Sequence, residues 1–91
     1  MIKDFKCKHT EKLFNNEFVK RFSGFDRQAS KKLRALNSAT VLQDLSAIRG
    51  NHFEALSGDR KGQYSIRIND QWRICFQWDD APFDVEIVDY H

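Results

Sequence analysis

Between residues 63 and 88 apolar side chains fall on alternate positions in three successive runs, and only a few residues separate one run from the next. Tyr64, Ile66 and Ile68 share one face of the first run. Trp72, Ile74, Phe76 and Trp78 share one face of the second, and Val85 and Ile87 continue the pattern in the third. A period of two is the signature of a strand with one buried face. Asn69-Asp70-Gln71 and Asp79-Asp80-Ala81-Pro82 are rich in turn residues, and connections this short join antiparallel neighbours. The C-terminal half is therefore predicted to be a three-stranded meander with one face that needs a cover.

The N-terminal half supplies the cover. Residues 1–8 alternate loosely, Phe5 and Cys7 against Asp4, Lys6 and Lys8, which predicts a short first strand. Phe14, Phe18 and Phe22 recur at four-residue spacing and predict a helix over 10–22 with an aromatic inner stripe, broken by Ser23-Gly24. Asp26 is the expected N-cap of a second helix through Asn37, with Ala29, Leu33 and Leu36 inward. Thr40-Val41-Leu42-Gln43 has the form of a capping box and opens a third, short helix ending near Ile48. The expected class is α+β, an N-terminal strand and helices packed on an antiparallel β-sheet, as one domain over residues 1–91. With 41% hydrophobic and 13% aromatic residues the chain can fill one core and not two.

Several classes are disfavoured. No stretch approaches the roughly 18 apolar residues of a membrane span, and Met1-Ile2-Lys3-Asp4 does not lead into a signal-peptide core, so a cytoplasmic protein with no membrane partner is expected. Cys7 and Cys75 lack any ligand spacing, so neither a disulfide nor a metal is expected, and no cofactor motif is present. Net charge is only +2, but residues 1–49 hold 11 Lys/Arg against 5 Asp/Glu, while residues 50–91 hold 4 against 8. A basic face that meets a polyanion is compatible with that asymmetry.

Candidate site residues follow from register. A three-residue loop at 69–71 places Ile66 opposite Ile74 and Arg67 opposite Arg73 on the face away from the core. Like charges in direct cross-strand pairing oppose folding by up to about 1 kcal/mol, a cost that makes sense where an anion binds. A four-residue loop at 79–82 sets Trp78 opposite Phe83, Ile74 opposite Ile87 and Arg73 opposite Val88. Tyr90 then lies diagonal to Arg73, while Asp89 alternates toward the core side. Arg60 and Lys61, between Gly58 and Gly62, form either a polar turn or a grip on a phosphate. Arg27, Lys31 and Arg34 line the second helix about 200° from its apolar stripe, at about 100° per residue, as either a solvated face or a polyanion contact. His9 and His52 have no sequence partner and are assigned to surface or packing roles.

The last three residues, Asp89-Tyr90-His91, carry a carboxylate, a stacking ring and an imidazole just where the third strand runs out. With no serine elbow, HExxH or carboxylate cluster in the chain, this set and the arginines suit metal-free RNA cleavage. There the ribose 2′-OH attacks the adjacent phosphodiester, one group takes its proton, another protonates the departing 5′ oxygen, and an arginine stabilises charge on phosphorus. The negative charges near His91 favour its imidazolium and suit it to be the acid.

Gly58-Asp59-Arg60, Tyr64-Ser65-Ile66, Asn69-Asp70-Gln71-Trp72-Arg73-Ile74-Cys75-Phe76 and the final Asp89-Tyr90-His91 together resemble the HigB branch of the RelE/ParE toxin superfamily over essentially the whole chain. The resemblance implies a RelE-like, microbial-RNase-type fold and a ribosome-dependent mRNA endoribonuclease, an mRNA interferase acting on A-site mRNA. It also implies a HigA-type helix-turn-helix antitoxin as partner, with operator DNA contacted only through that antitoxin. By position, Arg73 would stabilise the phosphate, and Asp89, Tyr90 and His91 would supply acid–base chemistry and stacking. Strongly cleaving members of that family carry a histidine and a lysine three residues apart just before Gly-Asp-Arg, where this chain has Glu54 and Ser57. Either Glu54 replaces the imidazole as general base or cleavage is weaker. Two other readings are a ParE-like, non-enzymatic inhibitor of DNA gyrase and an RNA- or ribosome-binding module without cleavage; neither gives the terminal tripeptide a task.

Overall fold

A computed structural model describes residues 1–89. In chain order the elements are α1 (Lys8–Phe14), α2 (Asp26–Ser38), α3 (Leu42–Ser46), β1 (Glu54–Ala55), β2 (Tyr64–Arg67), β3 (Trp72–Trp78) and β4 (Pro82–Asp89), with 3₁₀ turns at Lys20–Phe22, Arg49–Asn51 and Gly58–Arg60. The strands form one antiparallel sheet in the order β1-β2-β3-β4. The helices pack on one face of it, against Ile66, Ile74, Phe76, Val85 and Ile87, all buried together with Phe22, Leu33 and Leu36. The α+β class and the meander are as predicted.

The predicted long first helix is a short one followed by an irregular segment. α1 ends in a Schellman motif: Glu17 N–H reaches back to Lys12 O at 2.9 Å and Asn16 N–H to Leu13 O at 3.0 Å, with Asn16 at φ 66°. Asparagine adopts that left-handed conformation more readily than most residues, so Asn15-Asn16 was the stop signal hidden inside the phenylalanine spacing. Phe22 still reaches the core from its own 3₁₀ turn, Val19 takes the inward place after the break, and Phe18 is left 74% exposed.

Two helix starts also differ. Asp26 is the first residue of α2, and its side chain caps nothing. At α3 the acceptor is Asp44, one residue beyond the expected Gln43: its carboxylate takes the N–H groups of Thr40 and Val41 and the Thr40 hydroxyl. α3 stops at Ser46, before Ile48.

The expected first strand reduces to one parallel bridge between Phe5 and Val85. Lys6 N–H donates to Val85 O and Val85 N–H to Asp4 O, while Asp84 N–H turns onto the Asp4 carboxylate at 2.7 Å. Asp84 is the extra residue of a bulge, at φ 52°, between the pairs Cys75↔Glu86 and Gln77↔Phe83. A bulge interrupts the ladder locally, and the backbone bond from Lys3 N–H to Pro82 O at 2.8 Å continues the contact on its other side.

That bulge also explains the register. Trp78 pairs with Pro82, not Phe83, because the β3–β4 loop is one residue shorter than predicted; the inserted Asp84 restores the count, and Ile74↔Ile87 and Arg73↔Val88 come out as expected. Across β2–β3 the predicted Ile66↔Ile74 and Arg67↔Arg73 pairs are observed. Asn69 explains that turn, its side-chain oxygen accepting the N–H groups of Gln71 and Trp72, both at 2.8 Å.

Candidate active site

Alternation sends Ile66, Ile74 and Ile87 toward the helices and the residues between them to the other face of the sheet. On that face one row runs Glu54, Ser65, Cys75, Glu86 across all four strands. Arg73 stands one step along β3 from this row. Its guanidinium is folded back over β2: Nε donates to Ser65 Oγ at 2.9 Å, and Nη2 donates to the backbone carbonyl of His52 and lies 3.5 Å from Glu54 Oε1. Arg73 is only 9% exposed. A cation that dry needs hydrogen-bonding and charged partners to be tolerated, and the β1 segment and Ser65 provide them.

Arg73 and Glu54, both expected in the site, are thus brought together. The like-charge confrontation expected of Arg67 and Arg73 is real in register and relieved in space. Arg67 turns away to an ion pair with Asp70 in the β2–β3 turn, and Arg73 turns toward Glu54.

Arg60 does not point to solvent. Gly58, at a left-handed φ of 64° that side chains rarely adopt, opens the turn that swings Arg60 back to Gln63 Oε1 at 3.0 Å and Glu86 Oε2 at 3.3 Å. Lys6 meets the same carboxylate at 3.5 Å. Arg60 therefore ties its loop to the sheet; Lys61 beside it is exposed. Between these charges lies Cys75, whose thiol burial pushes up in pKa; both cysteines are free thiols.

The basic stripe of α2 is divided among several tasks. Arg34 donates to Asn16 Oδ1 at 2.9 Å and lies over the Phe14 ring, holding the end of α1. Arg27 borders a hollow beside Phe18, and Lys31 borders another beside Ile48 and Ile68. Asp89 pairs with Trp72, one position out of step with Arg73↔Val88, so it alternates to the helix side as predicted; Gln71 Nε2 donates to its carboxylate at 3.0 Å. Tyr90 and His91 lie outside the described residues.

Sequence reasoning missed two of the partners that hold Arg73, Ser65 and the His52 carbonyl. Ser65 was within reach, since the register that paired Arg67 with Arg73 also places Ser65 on the same face. The His52 carbonyl was not: the residue contributes its backbone at φ 43° rather than its ring, and no spacing rule signals that.

Three helices on one face of a small antiparallel sheet are the architecture of the RelE-like toxins, the class to which fold and sequence assign this chain. The chain matches the family described as the RelE-like toxin of the type II toxin-antitoxin system HigB over residues 3–91, and it belongs to that family. Toxins of such systems pair with an antitoxin. The chain is 38% identical to a protein named Toxin HigB-1 from Vibrio cholerae serotype O1, over 89% of this chain and 87% of the relative. It is 31% identical to a protein named Endoribonuclease HigB from Proteus vulgaris, over the full length of both.

Proposed function

We propose that this protein is an endoribonuclease toxin that cleaves messenger RNA in the decoding site of the ribosome, residues 1–91 acting as one toxin domain. The observation that carries the reading is the Arg73–Glu54 pair on the open face of the sheet, a buried guanidinium with a half-exposed carboxylate 3.5 Å away. The name of the Proteus vulgaris relative supports the reaction class.

In this reaction Glu54 takes the proton of the ribose 2′-OH as that oxygen bonds to phosphorus. Arg73 carries the charge that develops on the phosphoryl oxygens. The bond from phosphorus to the 5′ oxygen breaks, His91 gives that oxygen a proton, and a 2′,3′-cyclic phosphate and a 5′-hydroxyl result. Tyr90 stacks on a base, and Asp89 assists the acid–base chemistry. Arg67 exchanges Asp70 for a neighbouring phosphate, and Lys61, Arg27 and Lys31 meet ribosomal or message phosphates. Arg60 and Arg34 hold the backbone beneath them. The partner that silences the toxin is a HigA-type helix-turn-helix antitoxin, through which alone operator DNA is contacted.

Adding the purified chain to a translating extract and mapping message 5′ ends, with and without ribosomes, tests this. Cleavage within codons that requires ribosomes is expected. Cleavage of naked RNA alone, or none, overturns it, and a block of DNA supercoiling instead would mark a gyrase inhibitor.

A further inference from the structure

Around the edge of β2 from Arg73 the surface dips into a hollow of about 360 Å³. α2 lines it with Gln28, Lys31 and Lys32; Ile48, Asn51 and Ile68 close it from the α3–β1 segment and the end of β2. Its chemistry is mixed in a specific way. Ile48 is 45% exposed, an apolar side chain that the core does not use. Lys32 is turned inward, its ammonium donating to the side-chain oxygen of the fully buried Asn51, whose amide in turn donates to Leu45 O at 3.0 Å.

Two lysines thus border one concavity whose lining holds no aspartate or glutamate. Arg67 adds its field to theirs, and burial together with Lys31 and Arg67 lowers the Lys32 pKa. An ammonium has three N–H donors, and Asn51 accepts one from Lys32. Asn51 is also the neighbour of His52, whose carbonyl holds Arg73. The lining of the hollow is therefore joined through one peptide bond to the residue that holds the buried arginine.

We propose that this hollow is a nucleotide subsite, taking the base and phosphate of a ribonucleotide that flanks the phosphodiester at Arg73. The inference rests on the endoribonuclease reading. Single-stranded nucleic acid is held by cations along its backbone and by side chains that cover the base faces. Lys31 and Lys32 supply the first. Ile48 and Ile68 supply apolar walls, Gln28 offers an amide group to a base edge, and the buried Asn51 holds the Lys32 ammonium in place. The size matches the lower end of small-ligand sites, roughly 300 Å³.

The test is titration of the full chain with a 2′-O-methylated RNA trinucleotide, which cannot be cleaved by 2′-OH attack, followed by backbone amide resonances. Shifts at Gln28, Lys32, Ile48 and Ile68 are expected, together with about tenfold weaker binding by the Lys31→Glu, Ile48→Asp double variant. Lys31→Glu alone, on an exposed helix position, serves if the double variant loses its cooperative melt. Unchanged affinity, or no shift at these residues, overturns the subsite. So does a trinucleotide that moves only the two lysines, as inorganic phosphate would, because the hollow is then an anion site alone. The two readings fail separately. If wild type cleaves message on ribosomes and the variant cleaves it equally, the subsite falls and the cleavage reading stands. If the trinucleotide binds and no message is cleaved, the reverse holds.

Discussion

Arg73 and Glu54 meet although their strands are not neighbours: Nη2 and Oε1 lie 3.5 Å apart across β2, which separates β3 from β1. The residue between them is Ser65, paired with Glu54 on one side and Cys75 on the other. Its side chain is small enough to let the guanidinium pass over the strand, and its hydroxyl accepts from Nε on the way. The site is built on that crossing.

Glu54→Gln should lower message cleavage by roughly 10²-fold or more, the usual worth of a positioned general base, while leaving the thermal melt close to wild type. Unchanged cleavage would remove Glu54 from the mechanism. The measurement is single-turnover cleavage on programmed ribosomes.

Ser65→Ala should cost about 1–3 kcal/mol of stability in urea unfolding, because it leaves a hydrogen-bonding position of the buried guanidinium empty. Cleavage should fall with it. Ser65→Val, similar in volume to threonine but without an acceptor, should lower cleavage further by obstructing the crossing; a Val variant more active than Ala would refute the steric argument.

Phe22 and Phe18 should separate sharply. Phe22→Ala removes a ring that is 1% exposed and packs against Phe25 and Trp72, at a cost of about 3–5 kcal/mol. Phe18→Ser should change stability by no more than about 0.5 kcal/mol. Similar losses in both would contradict the break of α1 at Asn16.

Asp44 should contribute to acid sensitivity. Hydrogen bonds from Thr40 and Val41 hold its carboxyl below the ordinary range. A group with a lowered folded pKa stabilises the fold above its unfolded pKa, about 3.9, and loses that contribution as pH falls through the folded value. Thermal melts of wild type and Asp44→Ala should therefore differ at about pH 7 and converge as pH falls through the lowered folded value. A gap that persists in acid would assign the effect of Asp44 to something other than its charge.

Much of this protein was legible because its strands are local objects. A period of two, two short turns and one asparagine suffice to place Arg67 opposite Arg73 and Ile74 opposite Ile87, since register propagates residue by residue from a turn. The β3–β4 end was right at Arg73 for two reasons that cancel, a loop one residue short and a bulge at Asp84 that adds it back. Neither has a clear local signal. The Phe14, Phe18, Phe22 spacing misled because four-residue periodicity cannot reveal a left-handed Asn16 between its members.

By itself the sequence determined the α+β class, the antiparallel meander, the face of the sheet that carries Arg73 and Arg67, and the motifs that join this chain to the HigB-like toxins. Tertiary structure alone decided where the long side chains end. Arg73 crosses β2 to Glu54 and the His52 carbonyl, Arg67 leaves for Asp70, Arg60 folds back onto Glu86, and Lys32 turns in to Asn51. The reason is physical. Backbone periodicity sets which face a side chain leaves from, but a long cation settles on the partners that compensate its loss of water, and those partners come from segments remote in the chain.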